Sequence, residues 1–501
     1  MAVSLRPRIS SRMKLDIEDY SAIRRALGAI SGDVSNDAVG AHVAKLEDLY
    51  APATHSAALD PTAPIVLGSR GSGKSFWAGV LGQKETRLAA AEAYPRLGLS
   101  KVEVHFGYTG IGGPEGVSME HIDAAVPDDA DIDQAKAFWW ATILAAAARS
   151  AGKTVAKPKN YLNDALDWEA RENQLNAHER RLLADGKTLL VVYDALDTVA
   201  RTWPRRRLLT ESLLEVVWAM RAYRAIRLKL FLRTDQIEDD ALRFVELPKL
   251  REGAVRLTWS GSDLYGLLYS RLALTADTEA RKAFGKLLRK LGFLVPDVKT
   301  ILTRRWPLVS APDDQQELMV ALAGQAYMGQ GTYAYKKGST YGWPITHLAD
   351  SYAEVTPRSF LGMMIAAAKH GAPSADRVIS PEGIRHGLRA ASKTRVDQLH
   401  KEFPWIKGVL APLAGLLLPQ IEDAVFDVWR NANTMNRLME DARSQNYLPP
   451  FPREQRKDEH HLFIALERIG VMFRRKDDRL DMPDLFRVAT KLLKKGAVAP
   501  L

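Results

Sequence analysis

The chain has 501 residues, 46% hydrophobic and 26% charged with eleven Trp, which is apolar material for roughly two to four domains rather than one core. It has no cysteine, which removes disulfides, thiolate metal sites and thiol nucleophiles together, and no run of about 18 apolar residues that would span a membrane. A net charge of +10 suits a polyanionic partner, but 70 basic residues against 60 acidic ones is also the balance of an ordinary basic surface.

The first eight residues carry two arginines and no apolar stretch, so no signal peptide is expected and the expected location is the cytoplasm. Leu15, Ile17, Tyr20, Ile23 and Leu27 recur at helical spacing, and Val43, Leu46 and Tyr50 do so again. Residues 14–50 therefore read as helical, within an N-terminal extension (1–55) packed on the domain that follows.

Pro64-Ile65-Val66-Leu67 reads as a short buried strand, and Ser75-Phe76-Trp77-Ala78-Gly79-Val80-Leu81 opens a helix. Between them lies Gly68-Ser69-Arg70-Gly71-Ser72-Gly73-Lys74-Ser75, a phosphate-binding P-loop in the strand–loop–helix context the motif requires. The three glycines let backbone N–H groups approach phosphate oxygens, and the helix N-terminus adds partial positive charge. Lys74 is placed to reach the β and γ phosphates and Ser75 to ligate magnesium, so the expected ligands are ATP and Mg2+.

Lys101–Phe106 alternates as a strand and leads into a glycine- and acid-rich insertion, residues 107–135, expected to be a long loop with a partner-binding or a mobile role. Phe138-Trp139-Trp140 begins an apolar helix whose tryptophans suit a core or interface better than a base-stacking platform. A charged helix is expected over 161–185. Thr188–Tyr193 then forms a β-prone run ending in Asp194, the expected magnesium partner, with Asp197 placed to polarise an attacking water. Each acid is also a residue type that caps helices. Arg205-Arg206-Arg207 reads as a solvated face or the source of an arginine finger. Leu228–Leu232 is a third strand, whose tip puts Arg233 or Thr234 beside the other two strand ends, where open parallel sheets bind ligands; the expected role is to sense the γ-phosphate, and an Arg–Asp surface pair is the equal alternative. A final core strand is expected at Val255–Trp259.

Walker A, a strand ending Asp194-Ala195-Leu196-Asp197, and a strand ending Leu232-Arg233-Thr234-Asp235 together resemble the STAND and AAA-like branch of P-loop ATPases, specifically bacterial members with a C-terminal winged helix. The resemblance implies an α/β core with a five-stranded parallel sheet, in which one strand separates those of Walker A and Walker B. It implies a helical lid, ATP-controlled homo-oligomerisation or engagement of a partner effector protein, and a place in a bacterial defence or stress system. It also assigns a sensor arginine to Arg358, just after Thr356 (N-cap) and Pro357 (first helical residue). Relatives with an Asp-x-x-Asp-Glu pattern carry Glu where this chain has Thr198, so binding is the firmer expectation and turnover the open one.

The expected domains are the extension 1–55, the P-loop core 56–260, a helical lid 261–375 and a winged-helix-like region 376–501. His347 and Asp350 stand a turn apart without a third ligand, a pattern that suits ordinary pairing better than a metal site. Helices are expected from Ser380-Pro381, over 391–403, 420–442 and 460–469, then a basic hairpin within 471–482 and a last helix from Pro483. Residues 451–501 hold twelve Lys and Arg against eight Asp and Glu, which makes DNA a possible partner beside protein. Two further readings stay open, a DNA-associated ATPase and a non-hydrolysing scaffold with structural nucleotide.

Overall fold

Five apolar runs of the chain become the strands of one parallel sheet: β1 (Ile65–Leu67), β2 (Val102–Tyr108), β3 (Thr188–Tyr193), β4 (Ile226–Leu232) and β5 (Val255–Arg256). This computed structural model describes residues 14–30, 44–112, 116–153, 156–237, 242, 244–451 and 456–500. The chain divides into two compact units, one spanning 37–258 and holding the sheet, the other 1–36 with 259–501.

The strand order is β2-β3-β4-β1-β5, with every neighbouring pair parallel. Strand β4 thus separates β1 from β3, the order expected from the sequence. All of β1 and Leu189–Tyr193 of β3 are buried, because helices cover both faces of a parallel sheet and leave no polar side to alternate with. The helix Ile132–Ser150 starts in a capping box in which Asp131 accepts from the Gln134 N–H and Gln134 from the Asp131 N–H. Its Phe138, Trp139 and Trp140 are core residues: Trp139 Nε1 donates to Leu209 O at 3.0 Å and its ring meets Tyr108 and Tyr193 edge-on.

The insertion 107–135 is not the long loop expected. Strand β2 runs on to Tyr108, the N–H groups of Thr109 and Gly110 donate to Val117 O, and Ser118 caps a helix, Met119–Ala125. Residues 113–115 lie outside the described set. Arg205 ties this segment down, donating to Val126 O and Pro127 O and pairing with Asp123 and Asp128. That engagement replaces the solvated face expected for Arg205, while Arg206 donates to Ala200 O.

Residues 14–50 are not one helix. Asp16 caps Ile17–Ala29, and Leu46–Asp48 is a single 3-10 turn; Val43 lies outside the described residues. Ile17–Ala29 packs within the second unit, against Thr278–Lys290 and Pro357–Lys369, rather than on the sheet. Lys286 Nζ binds Asp19 there at 2.8 Å, and Arg24 donates to the carbonyls of residues 370–372.

In that unit Thr356 caps Pro357–Lys369, its Oγ1 accepting from the Ser359 N–H, as the sequence suggested. Ser380 caps a single helix, Pro381–Glu402, where two were expected. The two helices meet closely at Gly387, where an added Cβ would fall 2.2 Å from Met363 O. Residues 420–442 form two helices, Glu422–Asn431 and Thr434–Ser444, broken where Asn433 takes φ 51°. Strands β7 (Phe473–Arg474) and β8 (Leu480–Asp481) pair antiparallel as a short hairpin. A parallel pair, β6 (Leu417–Leu418) with β9 (Leu493–Lys494), was not anticipated. Among the described residues no helix is long and apolar enough to cross a membrane.

Candidate nucleotide-binding site

The site is built where β1, β3 and β4 end side by side. After β1, Gly68 donates its N–H to Leu232 O at 3.1 Å, which ties the start of the loop to the tip of β4. Gly71 (φ 84°) and Gly73 (φ 103°) supply left-handed backbone that a side chain would strain, and Gly73 caps the helix Lys74–Gly82. Gly68 is needed for space: a Cβ there would lie 2.3 Å from Ser72 Oγ. Ser72 is buried, whereas Ser69, Arg70 and Ser75 are half-buried. Lys74 Nζ donates to Gly68 O at 2.7 Å and Ser69 O at 3.0 Å, holding its ammonium at the loop.

Asp194, just past β3, is 6% exposed. Burial raises its pKa, opposed by hydrogen bonds from the Ser75 side chain and the Ala195 N–H and by the charge of Lys74. The structure therefore brings together the P-loop lysine, the P-loop hydroxyl and the acid of the β3 end. A buried carboxylate that resists ionisation, beside a hydroxyl, is an all-oxygen donor pair that suits a hard dication such as Mg2+. With Mg2+ bound, its charge would favour the ionised form of Asp194.

Asp197 stands one turn on, in the 3-10 turn Leu196–Thr198 that follows Ala195 at φ 56°. Its carboxylate lies 4.0 Å from Arg233 Nη1, so these two predicted residues also meet. Thr198 donates its hydroxyl to Ala195 O at 2.7 Å and shares a 3.1 Å hydrogen bond with the Tyr108 hydroxyl. Arg233 has its backbone N–H bound by Gln236 Oε1 at 2.9 Å. Arg358 lies in the other unit, half-buried on the first turn of Pro357–Lys369; the group gathered here consists of residues of 37–258 alone.

Sequence reasoning missed Lys229. It is fully buried in β4, and its Nζ donates to Ala58 O (3.0 Å), Asp60 O (2.5 Å) and Ala63 O (2.6 Å). Burial draws its pKa down to about 7, against the opposing charge of Asp60. The available signal was one lysine inside the apolar run Leu228–Leu232.

His347 and Asp350 do not pair with each other but go to separate partners. His347 Nδ1 meets Asp484 Oδ2 at 2.5 Å, whereas Asp350 accepts from the N–H groups of Tyr352 and Glu354. The hairpin's three arginines face acids: Arg474 pairs with Glu422, Arg475 with Asp481 and Arg479 with Asp477. No protein-family model matches the chain, and no curated protein matches it in sequence.

Proposed function

We propose that the chain binds ATP with Mg2+ at Gly68–Ser75 and Asp194 and uses it as a molecular switch, as a P-loop ATPase of the STAND/AAA-like kind. What carries the reading is the glycine-rich loop between β1 and the helix Lys74–Gly82, with Lys74 held at its carbonyls and the buried Asp194 at the neighbouring end of β3, where Ser75 and Lys74 both favour its charge. Lys74 would neutralise the β and γ phosphates, Ser75 and Asp194 would hold the dication, and the loop N–H groups would cradle the phosphate oxygens. Arg233 would sense the γ-phosphate and Asp197 would orient the attacking water. Arg358 is the second proposed sensor, on a lid formed by residues 261–375. Residues 376–501 are proposed to be winged-helix-like, with the β7–β8 hairpin as the wing.

The switch would govern self-assembly or a partner effector in a bacterial defence or stress system, in the cytoplasm. One feature favours holding nucleotide over turning it over quickly. Asp197 faces Arg233, and Thr198, where relatives carry an acid, is bound to Tyr108 and Ala195.

The test is equilibrium binding of a fluorescent ATP analogue with Mg2+ to the full chain and to Lys74→Ala, followed by ATPase assays with and without duplex DNA. Loss of at least about 100-fold in affinity is expected for Lys74→Ala, the scale of a buried charge–phosphate contact. Slow turnover with a nucleotide-dependent change of mass by light scattering fits the switch. Stimulation by duplex DNA would move the reading to a DNA-associated ATPase. Undiminished ATP binding by Lys74→Ala would overturn the site itself.

A further inference from the structure

The second unit carries a feature that the nucleotide site does not use. Residues 325–341 leave the helix Pro312–Ala323 as an excursion rich in glycine, tyrosine and lysine and return to the helix Gly342–Leu348. From Leu318 to Ala349 the chain has no Asp or Glu. Within that stretch Tyr327, Tyr333 and Tyr335 are 43%, 66% and 56% exposed, beside exposed Lys336 and Lys337. Among the described residues only one other tyrosine, Tyr352, is exposed to this degree, and its hydroxyl donates to the Glu467 and Arg468 carbonyls. Three large aromatic faces left in water within nine residues is a concentration that a solvated loop does not need.

The excursion is held in one shape. Tyr327 and Ser339 form an antiparallel bridge, Met328 N–H donates to Gly338 O at 2.9 Å, and Thr340 N–H donates to Ala326 O at 2.9 Å. Gln325 Nε2 donates to Tyr327 O at 2.6 Å, and Arg385 donates to Met328 O. Met328 is buried underneath. At the far end Tyr341 stacks on Tyr265 with ring centroids 4.2 Å apart and donates its hydroxyl to Gln315 Oε1 at 2.7 Å. Gly331 and Gly338, at φ 73° and 83°, make the reversals. Lys336 Nζ lies 4.6 Å from the centre of the Tyr333 ring, so cation and aromatic face are presented together.

We propose that residues 325–341 are a stacking platform for single-stranded nucleic acid. Unpaired bases offer ring faces that pack on tyrosine whatever their identity, while phosphates would be met by the adjacent, exposed Lys336 and Lys337. A duplex keeps its base faces stacked on one another, so the three rings would gain nothing from it. An acidic peptide would use the lysines but leave the rings without partners of matching shape. Presenting the rings on a pinned loop reduces the ordering that binding requires.

The platform is independent of the P-loop, and the experiment separates the two. A fluorescein-labelled oligo(dT) of about 20 nucleotides is titrated with the full chain by anisotropy at low salt, against a duplex of equal length and a glutamate-rich peptide. Tyr333→Ala and Tyr335→Ala should each weaken oligo(dT) binding at least about fivefold, without moving the thermal melting curve, since both rings are exposed. Tyr333→Phe and Tyr335→Phe should bind like the wild type. Lys336→Ala with Lys337→Ala should flatten the log–log salt dependence by about 1.4, the value for two phosphate contacts on a single strand. Lys74→Ala should bind the oligonucleotide like the wild type. Absence of oligo(dT) binding, binding indifferent to the two alanine variants, equal tyrosine-dependent binding of the duplex, or tyrosine-dependent capture of the peptide alone would each overturn the proposal.

Discussion

Replacing Lys229 by Met tests how the sheet holds the glycine-rich loop Gly68–Ser75. The methionine keeps most of the apolar stem, but the carbonyls of Ala58, Asp60 and Ala63 lose their shared donor. Each buried acceptor left unmet costs about 1–3 kcal/mol, and this is partly offset because an ammonium need no longer be desolvated, a saving of several kcal/mol. A net loss of about 2 kcal/mol at neutral pH is expected. The pH dependence is the sharper readout. The folded-state pKa is drawn from 10.5 down to about 7, so between those values the unfolded chain binds the extra proton and stability rises with pH. Integrated from pH 7 to about pH 9.5, the gain is about 3 kcal/mol. Other shifted groups, Asp194 and the buried Tyr108 and Tyr193 among them, are common to both proteins and cancel in the difference between their profiles. A urea series with a deuterium pulse, read on peptides covering β1 and β4, scores unfolding of this unit by itself. The wild type should gain stability with pH and Lys229→Met should not, so the deficit widens to about 5 kcal/mol. Parallel pH profiles for the two proteins would refute the reasoning.

Asp194→Asn should raise the melting temperature of the nucleotide-free protein by about 2–4 °C. Its pKa is raised in the folded state, so the native site disfavours the charge and stability falls as pH rises above the ordinary carboxylate value. The same variant should lose the extra stabilisation that Mg2+ adds to ATP, measured by melting with and without chelator. Gly68→Ala should weaken ATP binding at least about tenfold, because its Cβ meets Ser72 Oγ at 2.3 Å and the loop must open; adding Ser72→Ala should restore part of the affinity. Thr198→Glu gives up hydrogen bonds to Tyr108 and Ala195, at about 1 kcal/mol each, but supplies an acid beside Asp197, as in the Asp-x-x-Asp-Glu pattern of the proposed class of ATPase. Steady-state ATPase should rise about tenfold with ATP affinity little changed, and an unaltered rate would show that a missing acid is not what limits turnover.

The sheet and the P-loop were legible because each rests on local chemistry. Apolar runs such as Leu189–Tyr193 are buried in a parallel sheet, and the spacing of Gly68, Gly71, Gly73 and Lys74 fixes a tight glycine-rich turn between a strand and a helix. The sequence placed Asp197 and Arg233 near neighbouring strand ends but did not pair them with each other; their 4.0 Å contact fits the Arg–Asp pairing that was the alternative to a phosphate sensor. The insertion 107–135 misled because glycine and acids signal a loop. What orders it is Arg205, some 80 residues away, together with a cap at Ser118. The division of Gln420–Ala442 turned on Asn433 taking a left-handed φ, and asparagine does so only where tertiary context selects it. Lys229 escaped because lysine in a strand usually means an exposed face, and its carbonyl partners lie some 170 residues earlier.

Strand β4 joins these observations into one mechanical statement. Its buried Lys229 grips residues 58–63, the segment that feeds β1, and Leu232 O at its tip holds the Gly68 N–H where the P-loop starts. Parallel pairing of Ile65–Leu67 with Leu230–Leu232 fills the space between. The loop and the base of Arg233 are thus fastened to the same strand at both ends, and a close-packed sheet transmits shifts rather than absorbing them. Were a nucleotide to bind at Lys74, as proposed, it would have little scope to separate β1 from β4. The adjustable parts are side chains: the Arg233 guanidinium, 4.0 Å from Asp197, and the Asp194 carboxyl, whose charge a dication would stabilise. A switch built on this frame would read phosphate by changing which acid its arginine faces, with the strands as the fixed reference against which that change is transmitted.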